Sequence, residues 1–367
     1  YSFIIGSNML KTYEQYLIKN FLNRFLIISL IFFSLIIILS ILEEISFFKD
    51  IDINFFYPYF LTLLSGPITL FEIFPFIFLL STQFLFYKLF KSEELNLLKI
   101  NGLSNLKIIK ILFITAFSIG LITVLVFYNA ASKLKFIYTD LKNSFSDDNK
   151  YLAVVNDSGL WLKDEINDTT LIVKAGYIEN NFLTDVIINE FDNEFNLQKI
   201  IQSERIDISN KNWVLQNPRI TNNNISNLIS ENLILQSNFD KEKINSLFSN
   251  IYTLNLMELF SLKKDYENLG YSSDEIEIHL LKLSSTPLLY GILTVLSAVI
   301  MFNFKRDKSL FYHVILGILM SVIIYYVNFM FTSLGNNGKI PIISSIYLPI
   351  LFISIFAIIG LIRVNEK

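Results

Sequence analysis

Six stretches of this chain are apolar over lengths that cross a bilayer, at about 25–42, 60–87, 108–128, 284–303, 309–333 and 342–362. A helix needs about 20 such residues to span hydrocarbon. No water is available there to satisfy a backbone amide, so each stretch has to fold as a helix. The six come as three, a polar interval at 129–283, and three more. Composition agrees: 53% of the 367 residues are hydrophobic, 35 are Phe, and only 17% are charged. That excludes an ordinary soluble globule. The interval holds 15 basic and 23 acidic residues, a net of −8, which leaves 15 basic and 10 acidic for the rest, a net of +5. The two regions suit different surroundings.

Loop charge gives an orientation, because Lys and Arg stay on the cytoplasmic side. Lys11, Lys19 and Arg24 precede the first span, and Lys88, Lys91, Lys99, Lys107 and Lys110 lie between spans two and three. Lys305, Arg306 and Lys308 lie between spans four and five, whereas 43–59 carries Glu43, Glu44, Asp50 and Asp52 against Lys49. Every loop agrees with both termini inside and 129–283 outside. The first apolar run is too long for a signal peptide and is expected to remain as an anchor. Residues 1–8 precede the first methionine, Met9. They are set aside as an upstream extension.

Inside 129–283 the hydrophobic period changes from helical to alternating. Gly159–Leu162, Thr170–Ile178, Thr184–Phe191, Leu197–Ile206, Trp213–Ile220 and Asn232–Gln236 read as short strands. Turns at Asn156–Gly159 and Glu179–Asn181 separate some of them. Short strands without intervening helices predict an antiparallel sandwich or jelly roll. Such a domain serves either as a spacer or as a cradle with an apolar groove, and Ile172, Ile187 and Ile201 are taken as inward positions. An amphipathic helix at 255–269, ending at Gly270, follows the strands. Ser272 and Glu275 form a capping box for a second helix, about 273–283. The fold class is therefore an α-helical membrane protein of six spans with an inserted antiparallel β jelly-roll-like domain. Its regions are an extension at 1–15, spans one to three at 16–133, the β-domain at 134–250, a helical connection at 251–283 and spans four to six at 284–367.

Catalytic constellations are missing. No phosphate loop occurs, since Gly335-Asn-Asn-Gly338-Lys339 lacks the spacing, and there is neither a nucleophile elbow nor a His-Glu-x-x-His. Cysteine is absent, and His279 and His313 read as packed or interfacial residues. No catalytic residue, metal or cofactor is expected. Glu72 is the chief charge inside a span, and such a group normally faces a bundle interior or a cavity. Prolines 67 and 75 are expected to kink the second span.

The loop between spans two and three carries the sharpest pattern. Over 93–103 the sequence predicts a short helix with Leu95, Leu98 and Ile100 near one face, Glu93 and Glu94 in its first turn and Gly102 at its end. It serves either as an interfacial helix on lipid or as a helix docking into a cleft of a partner.

Glu94-Leu95-x6-Gly102-Leu103-Ser104 resembles the coupling-helix region of the LptF/LptG (YjgP/YjgQ) family. The resemblance continues through Leu64–Pro67 with Phe74-Pro75, through Gly159–Leu162, and through Asp207–Trp213 with Leu215. Leu334-Gly335-x2-Gly338-x2-Pro341 with Ser344–Pro349 completes it, and the later blocks look more like LptG than LptF. The resemblance implies a non-catalytic permease subunit of an ABC transporter that lifts lipopolysaccharide out of the inner membrane. Its implied partners are an LptF-like permease subunit, an LptB-like ATPase dimer, an LptC-like bitopic protein and an LptA-like bridge. It also implies that spans one and five form lateral gates and that the β-domain continues the bridge. Glu94 would be the charged contact to the ATPase, with Leu95, Leu98 and Gly102 seating the helix. Glu43, Glu44 and Ile68 stand where family members carry basic residues, so no lipid-contacting residue is assigned. The LptF paralogue and a membrane-anchored scaffold or sensor without transport activity are the alternatives.

Overall fold

The computed structural model describes residues 11–365 except 50, 52, 144, 146–159, 167–168, 180, 193, 223–224, 229–231, 242–243, 245–249, 269–271 and 303–309. The readings for residues 1–8, the turns at 156–159 and 179–181 in part, Gly270 and the loop at 304–308 fall outside the described residues. Helices α1 (Thr12–Phe47), α2 (Tyr57–Lys91), α3 (Glu94–Ile100) and α4 (Asn105–Ile122) come first. A π segment, Thr123–Tyr128, continues α4 into α5 (Asn129–Asn143). After the strands come α6 (Leu256–Asn268), α7 (Asp274–Phe302), α8 (Leu310–Asn336) and α9 (Ile342–Asn365). Among the described residues six helical stretches are long and apolar enough to cross a membrane: Thr12–Phe47, Tyr57–Lys91, Asn105–Lys142, Asp274–Phe302, Val314–Asn336 and Ile342–Val364. The chain divides into two compact units: residues up to Lys135 together with those from Asp274 onward, and Phe136–Ser273.

The helical unit is knit by aromatic rings. Phe25 of α1 meets Phe74 and Phe78 of α2 at centroid distances of 5.6 and 4.8 Å, and Phe78 stacks on Tyr290 of α7 at 4.3 Å. Lipid tails are as apolar as these side chains, so association rests on close packing rather than on escape from water. Small residues let backbones approach where α4 crosses α7. A Cβ on Gly120 would lie 2.7 Å from the Cα of Pro287, and one on Gly291 would lie 2.6 Å from the Phe113 ring. A second cluster joins α7, α8 and α9 through Ile292, Leu296, Ile324, Ile346, Ile350 and Ile353. Helix α2 runs through Pro67 and Pro75, α7 through Pro287 and α9 through Pro349.

Two helical boundaries differ from the sequence reading. The third span does not stop near 128 but continues as helix to Asn143, because nothing between Asn129 and Lys142 breaks it. The connecting helix read at 273–283 is the first part of α7, since the Ser284–Pro287 run stays helical. Asn255 caps α6: its side-chain oxygen accepts the amides of Met257 and Glu258 at 3.0 and 3.1 Å, and Glu258 accepts the Asn255 amide at 2.8 Å.

The second unit holds one antiparallel sheet in the order β1-β2-β4-β5-β6-β9. Its strands are β1 (Leu160–Ile166), β2 (Thr169–Ala175), β3 (Tyr177–Glu179), β4 (Phe182–Phe191), β5 (Leu197–Asp207), β6 (Asn212–Gln216), β7 (Arg219–Asn222), β8 (Ile225–Leu228) and β9 (Leu233–Gln236). The far edge of β5 is shared: residues 205–207 pair with β6, and 200–202 pair with β7, which in turn pairs with β8. The run read as one strand at Trp213–Ile220 splits because Asn217 adopts φ +45 and Pro218 has no amide to give a ladder. Gly176 likewise divides Thr170–Ile178. Buried Leu160, Leu162, Leu171, Val173, Ile188, Ile201, Trp213 and Leu215 line the inner face. Ile201 points inward as read, whereas Ile172 and Ile187 are only half-buried and alternate with the buried positions. Asp185, at φ +52, explains the slip at Ile187: it turns β4 so that Leu183 and Val186 are both buried; Ile172 lies in the regular alternation of β2, on the other face. The sheet is tied to the segment after β9 by a buried carboxylate. Asp164 accepts from the Ser237 hydroxyl at 2.8 Å and from the Asn238 amide and side chain at 2.9 and 2.8 Å.

The α4–α7 crossing generates a prediction. Gly120→Ala forces backbone apart and should destabilise the helical unit by about 1–3 kcal/mol, the usual penalty of overpacking. Ile122→Ala, whose side chain is exposed on the same helix, should be nearly silent. Thermal melting in detergent compares them, and equal midpoints for both variants would contradict the packing described.

Candidate functional site at the short helix between the second and third spans

Helix α3 is a seven-residue rod bracketed by two backbone reversals. Helix α2 ends at Lys91, where Ser92 returns both its amide and its hydroxyl to the Lys88 carbonyl, at 3.0 and 2.8 Å. Glu93 then takes φ +58, a left-handed conformation uncommon for a side chain of its kind. It stands just before the helix rather than in its first turn, and its carbonyl receives the amides of Asn96 and Leu97. Glu94 is the first helical residue.

The other end is closed by Gly102 at φ +83. Its amide returns to the Lys99 carbonyl at 2.9 Å, and the Leu103 amide reaches the Leu98 carbonyl at 3.1 Å. These two bonds are the Schellman pattern, which needs a left-handed residue and favours glycine there. Leu103 is buried beside them, and Ser104 caps α4 by accepting the Lys107 amide at 3.3 Å.

Sorting the side chains of α3 by exposure gives two ridges. Leu95 is 2% exposed and Leu98 is half-buried, so with Leu103 they turn toward the chain's own helices. Leu97 is 58% exposed and Ile100 is 81% exposed. Ile100 therefore does not share the face of Leu95, as the sequence suggested, but forms an outward apolar ridge with Leu97. Helix α3 packs mainly against α2, and its second ridge, Leu97 and Ile100, stays exposed.

Polar contacts tie α3 to its surroundings. The Tyr16 hydroxyl of α1 donates to Oε2 of Glu94. The Lys88 ammonium of α2 donates to Oδ1 of Asn20 at 2.7 Å and lies 5.6 Å above the Tyr16 ring, while Asn20 donates to the Tyr16 carbonyl at 2.9 Å. At the far end of α3 the Lys99 ammonium lies 5.7 Å from the ring of Phe302, the last residue of α7. Lys107 lies over Tyr13 at 5.4 Å, and Asn105 donates to the Val364 carbonyl at 3.2 Å. Five helices thus meet around α3. A cavity of about 500 Å³ lined by Arg24, Phe84, Tyr87, Lys88, Lys91 and Ser92 opens beside them.

The structure brings Glu94, Leu95, Leu98 and Gly102 together in this one element. Sequence reasoning did not find Tyr16 or the outward pair Leu97 and Ile100. The pair was legible as an i, i+3 apolar repeat; Tyr16 lies 78 residues from Glu94 and left no local signal. Glu72 stands apart, exposed on α2, with Lys282 and Lys135 as the cations that act on it. His279 is buried and its Nε2 is 2.9 Å from the Tyr128 hydroxyl. The side chain of His313 falls outside the described residues.

The backbone reversal generates a prediction. Gly102→Val places a branched side chain at φ +83, where an L-residue is strained by about 1–2 kcal/mol. No atom lies within 4 Å of the added Cβ, so any loss is conformational rather than steric. Amide exchange across 94–103 should speed up in Gly102→Val and change far less in Gly102→Asn, which tolerates this conformation.

With that geometry established, comparison with known proteins places the chain. A family model described as Lipopolysaccharide export system permease LptF/LptG matches residues 15–363. A search of curated protein sequences gave no match.

Proposed function

The chain belongs to the lipopolysaccharide export permease family LptF/LptG, and on that premise we propose that it is the LptG-like subunit of the exporter. Membership makes it a multi-pass inner-membrane permease subunit rather than a catalytic enzyme. The finer choice of LptG over LptF rests on the sequence blocks at 159–162, 207–215 and 334–349; LptF is the nearest alternative. In this reading both termini are cytoplasmic and the β unit is periplasmic, as the loop charges suggest. The partners are an LptF-like subunit, an LptB-like ATPase dimer, an LptC-like bitopic protein and an LptA-like bridge, with lipopolysaccharide as cargo.

One observation carries the mechanism. Helix α3 is seated on its own chain through Leu95 and Leu98, ended by Gly102, and presents Leu97 and Ile100 outward. Among the described residues Oε1 of Glu94 accepts no hydrogen bond, which leaves half of that carboxylate for a cation of the ATPase. Such a helix fits a cleft on a nucleotide-binding subunit better than it fits the interface plane of a bilayer, because its apolar ridges lie on opposite sides. Closure of the ATPase dimer on ATP would then push α3, narrow the space between the two permease subunits and drive lipid outward.

The test is co-purification of the ATPase with the intact chain. Glu94→Ala removes a charged partner and leaves the opposing cation unpaired, a loss of about 1–3 kcal/mol or roughly 5- to 150-fold in affinity. Ile100→Asp, at a position 81% exposed, should leave insertion and folding unchanged yet weaken ATPase capture. Glu93→Ala should cost less than Glu94→Ala, since exposed pairs contribute only about 0–1 kcal/mol. Full ATPase binding by both Glu94→Ala and Ile100→Asp would remove the docking role. A reporter fused near Asn210 should lie outside the cytoplasm and one fused after Lys308 inside; a cytoplasmic Asn210 fusion would overturn the orientation.

A further inference from the structure

Glu94 has two carboxylate oxygens, and they face different tasks. Oε2 is held by the hydroxyl of Tyr16 on α1, one turn into that helix. We propose that this bond is the internal drive link of the transporter: it makes the start of the first span follow α3, so that a push on α3 reaches α1. The proposal rests on the docking role given to α3 above and adds a positioning residue, Tyr16, that touches neither ATPase nor lipid.

Three features of the site support it. The first is leverage. Helix α3 is set off at both ends by left-handed residues, Glu93 at φ +58 and Gly102 at φ +83, so it is a rod of its own rather than a continuation of α2 or α4. The second is the choice of partner. Helix α3 packs against α2, yet its first carboxylate is bonded to α1. A carboxylate at a helix start is already favoured by the free amides there, so the reach to another helix is an added constraint rather than a default. The third is the rigidity of the donor side. The Tyr16 ring lies under the Lys88 ammonium at 5.6 Å, and Lys88 is itself bonded to Asn20 one turn further along α1. The phenol cannot rotate away without breaking that arrangement, so displacement of Glu94 is passed to the backbone of α1. Helix α1 packs along α2, and only 17% of its most apolar window is buried within the chain, so α2 is its main support there.

Tyr16→Phe is the clean variant, because the ring and its contact with Lys88 remain and only the hydroxyl is lost. In the reconstituted transporter, Tyr16→Phe is expected to keep the ATPase on co-purification and to keep ATP hydrolysis. Lipid released per ATP hydrolysed should fall by about tenfold or more, the effect of losing one charge-assisted hydrogen bond. Glu94→Ala should differ in kind by losing the ATPase itself. Wild-type release per ATP in Tyr16→Phe would overturn the link. Loss of the ATPase from Tyr16→Phe would also overturn it, by moving Tyr16 into the docking surface. Failure of the docking role shows separately, as Glu94→Ala and Ile100→Asp that both retain the ATPase.

Discussion

Hydrocarbon offers no partner to a polar group, and the organisation of the helical unit follows from how this chain meets that constraint. Backbone amides are satisfied by winding each apolar run into helix. The polar side chains inside the spans mostly return to their own helix as well. Thr62 donates to the Pro58 carbonyl, Thr82 to Phe78, Thr115 to Ile111, Asn328 to Ile324 and Ser354 to Ile350, all at 2.7–3.0 Å. Ser297 is an exception that works between helices, donating to the Leu79 carbonyl of α2 at 2.7 Å. Most side-chain polarity is thus spent locally. What joins helix to helix is packing: Phe78 on Tyr290, Phe25 between Phe74 and Phe78, Gly120 against Pro287.

The same constraint sends cross-helix polar bonds to the ends of the spans, where water and lipid headgroups begin. Around α3 these are the bonds of Tyr16, Asn20, Lys88, Glu94 and Asn105 and the ring contacts of Lys99 and Lys107. Long cationic side chains suit this zone, since their stems lie on apolar surface while the heads stay polar. At the opposite end of α4, the π segment Thr123–Tyr128 widens the helix. There Tyr128 meets both Phe71 and His279. Such wide turns recur at functional sites, and here one redirects a buried phenol to a partner 151 residues away.

The parts of this architecture legible in the sequence are those set by a local period. Six apolar runs became six helices because run length alone decides spanning, and alternation found most of the strands. Boundaries were less legible. Whether helix continues past Tyr128, or begins at Asp274 rather than after Leu283, depends on the absence of a breaker, which gives no positive signal. The inward face failed at Ile187 because Asp185 shifts the alternation of β4, and the run at 213–220 divided at Asn217, where another left-handed residue interrupts the strand. Within the site, Glu94, Leu95, Leu98 and Gly102 could be read because charge, apolar spacing and a terminal glycine fall within one short helix. Tyr16 could not, because only the tertiary packing of α1 beside α2 brings its hydroxyl to Glu94.

That division bears on how a transport subunit can separate binding from transmission. A helix that seats on its own chain through one ridge and meets a partner through the other keeps the two contacts on opposite sides of a single rod. Leu95 and Leu98 face the chain's own helices, whereas Leu97 and Ile100 are exposed and, on the docking role proposed, would meet the partner. The backbone reversals at Glu93 and Gly102 keep the rod from being a mere continuation of α2 or α4. A tilt has no consequence unless something beyond the rod is bonded to it. The Glu94 carboxylate is the group able to do this, because it stands at the hinge end, half-buried, with one oxygen turned to α1 and the other not engaged in that bond. On the docking role proposed for α3, docking strength and mechanical coupling would be set by different atoms of one side chain, and could vary independently.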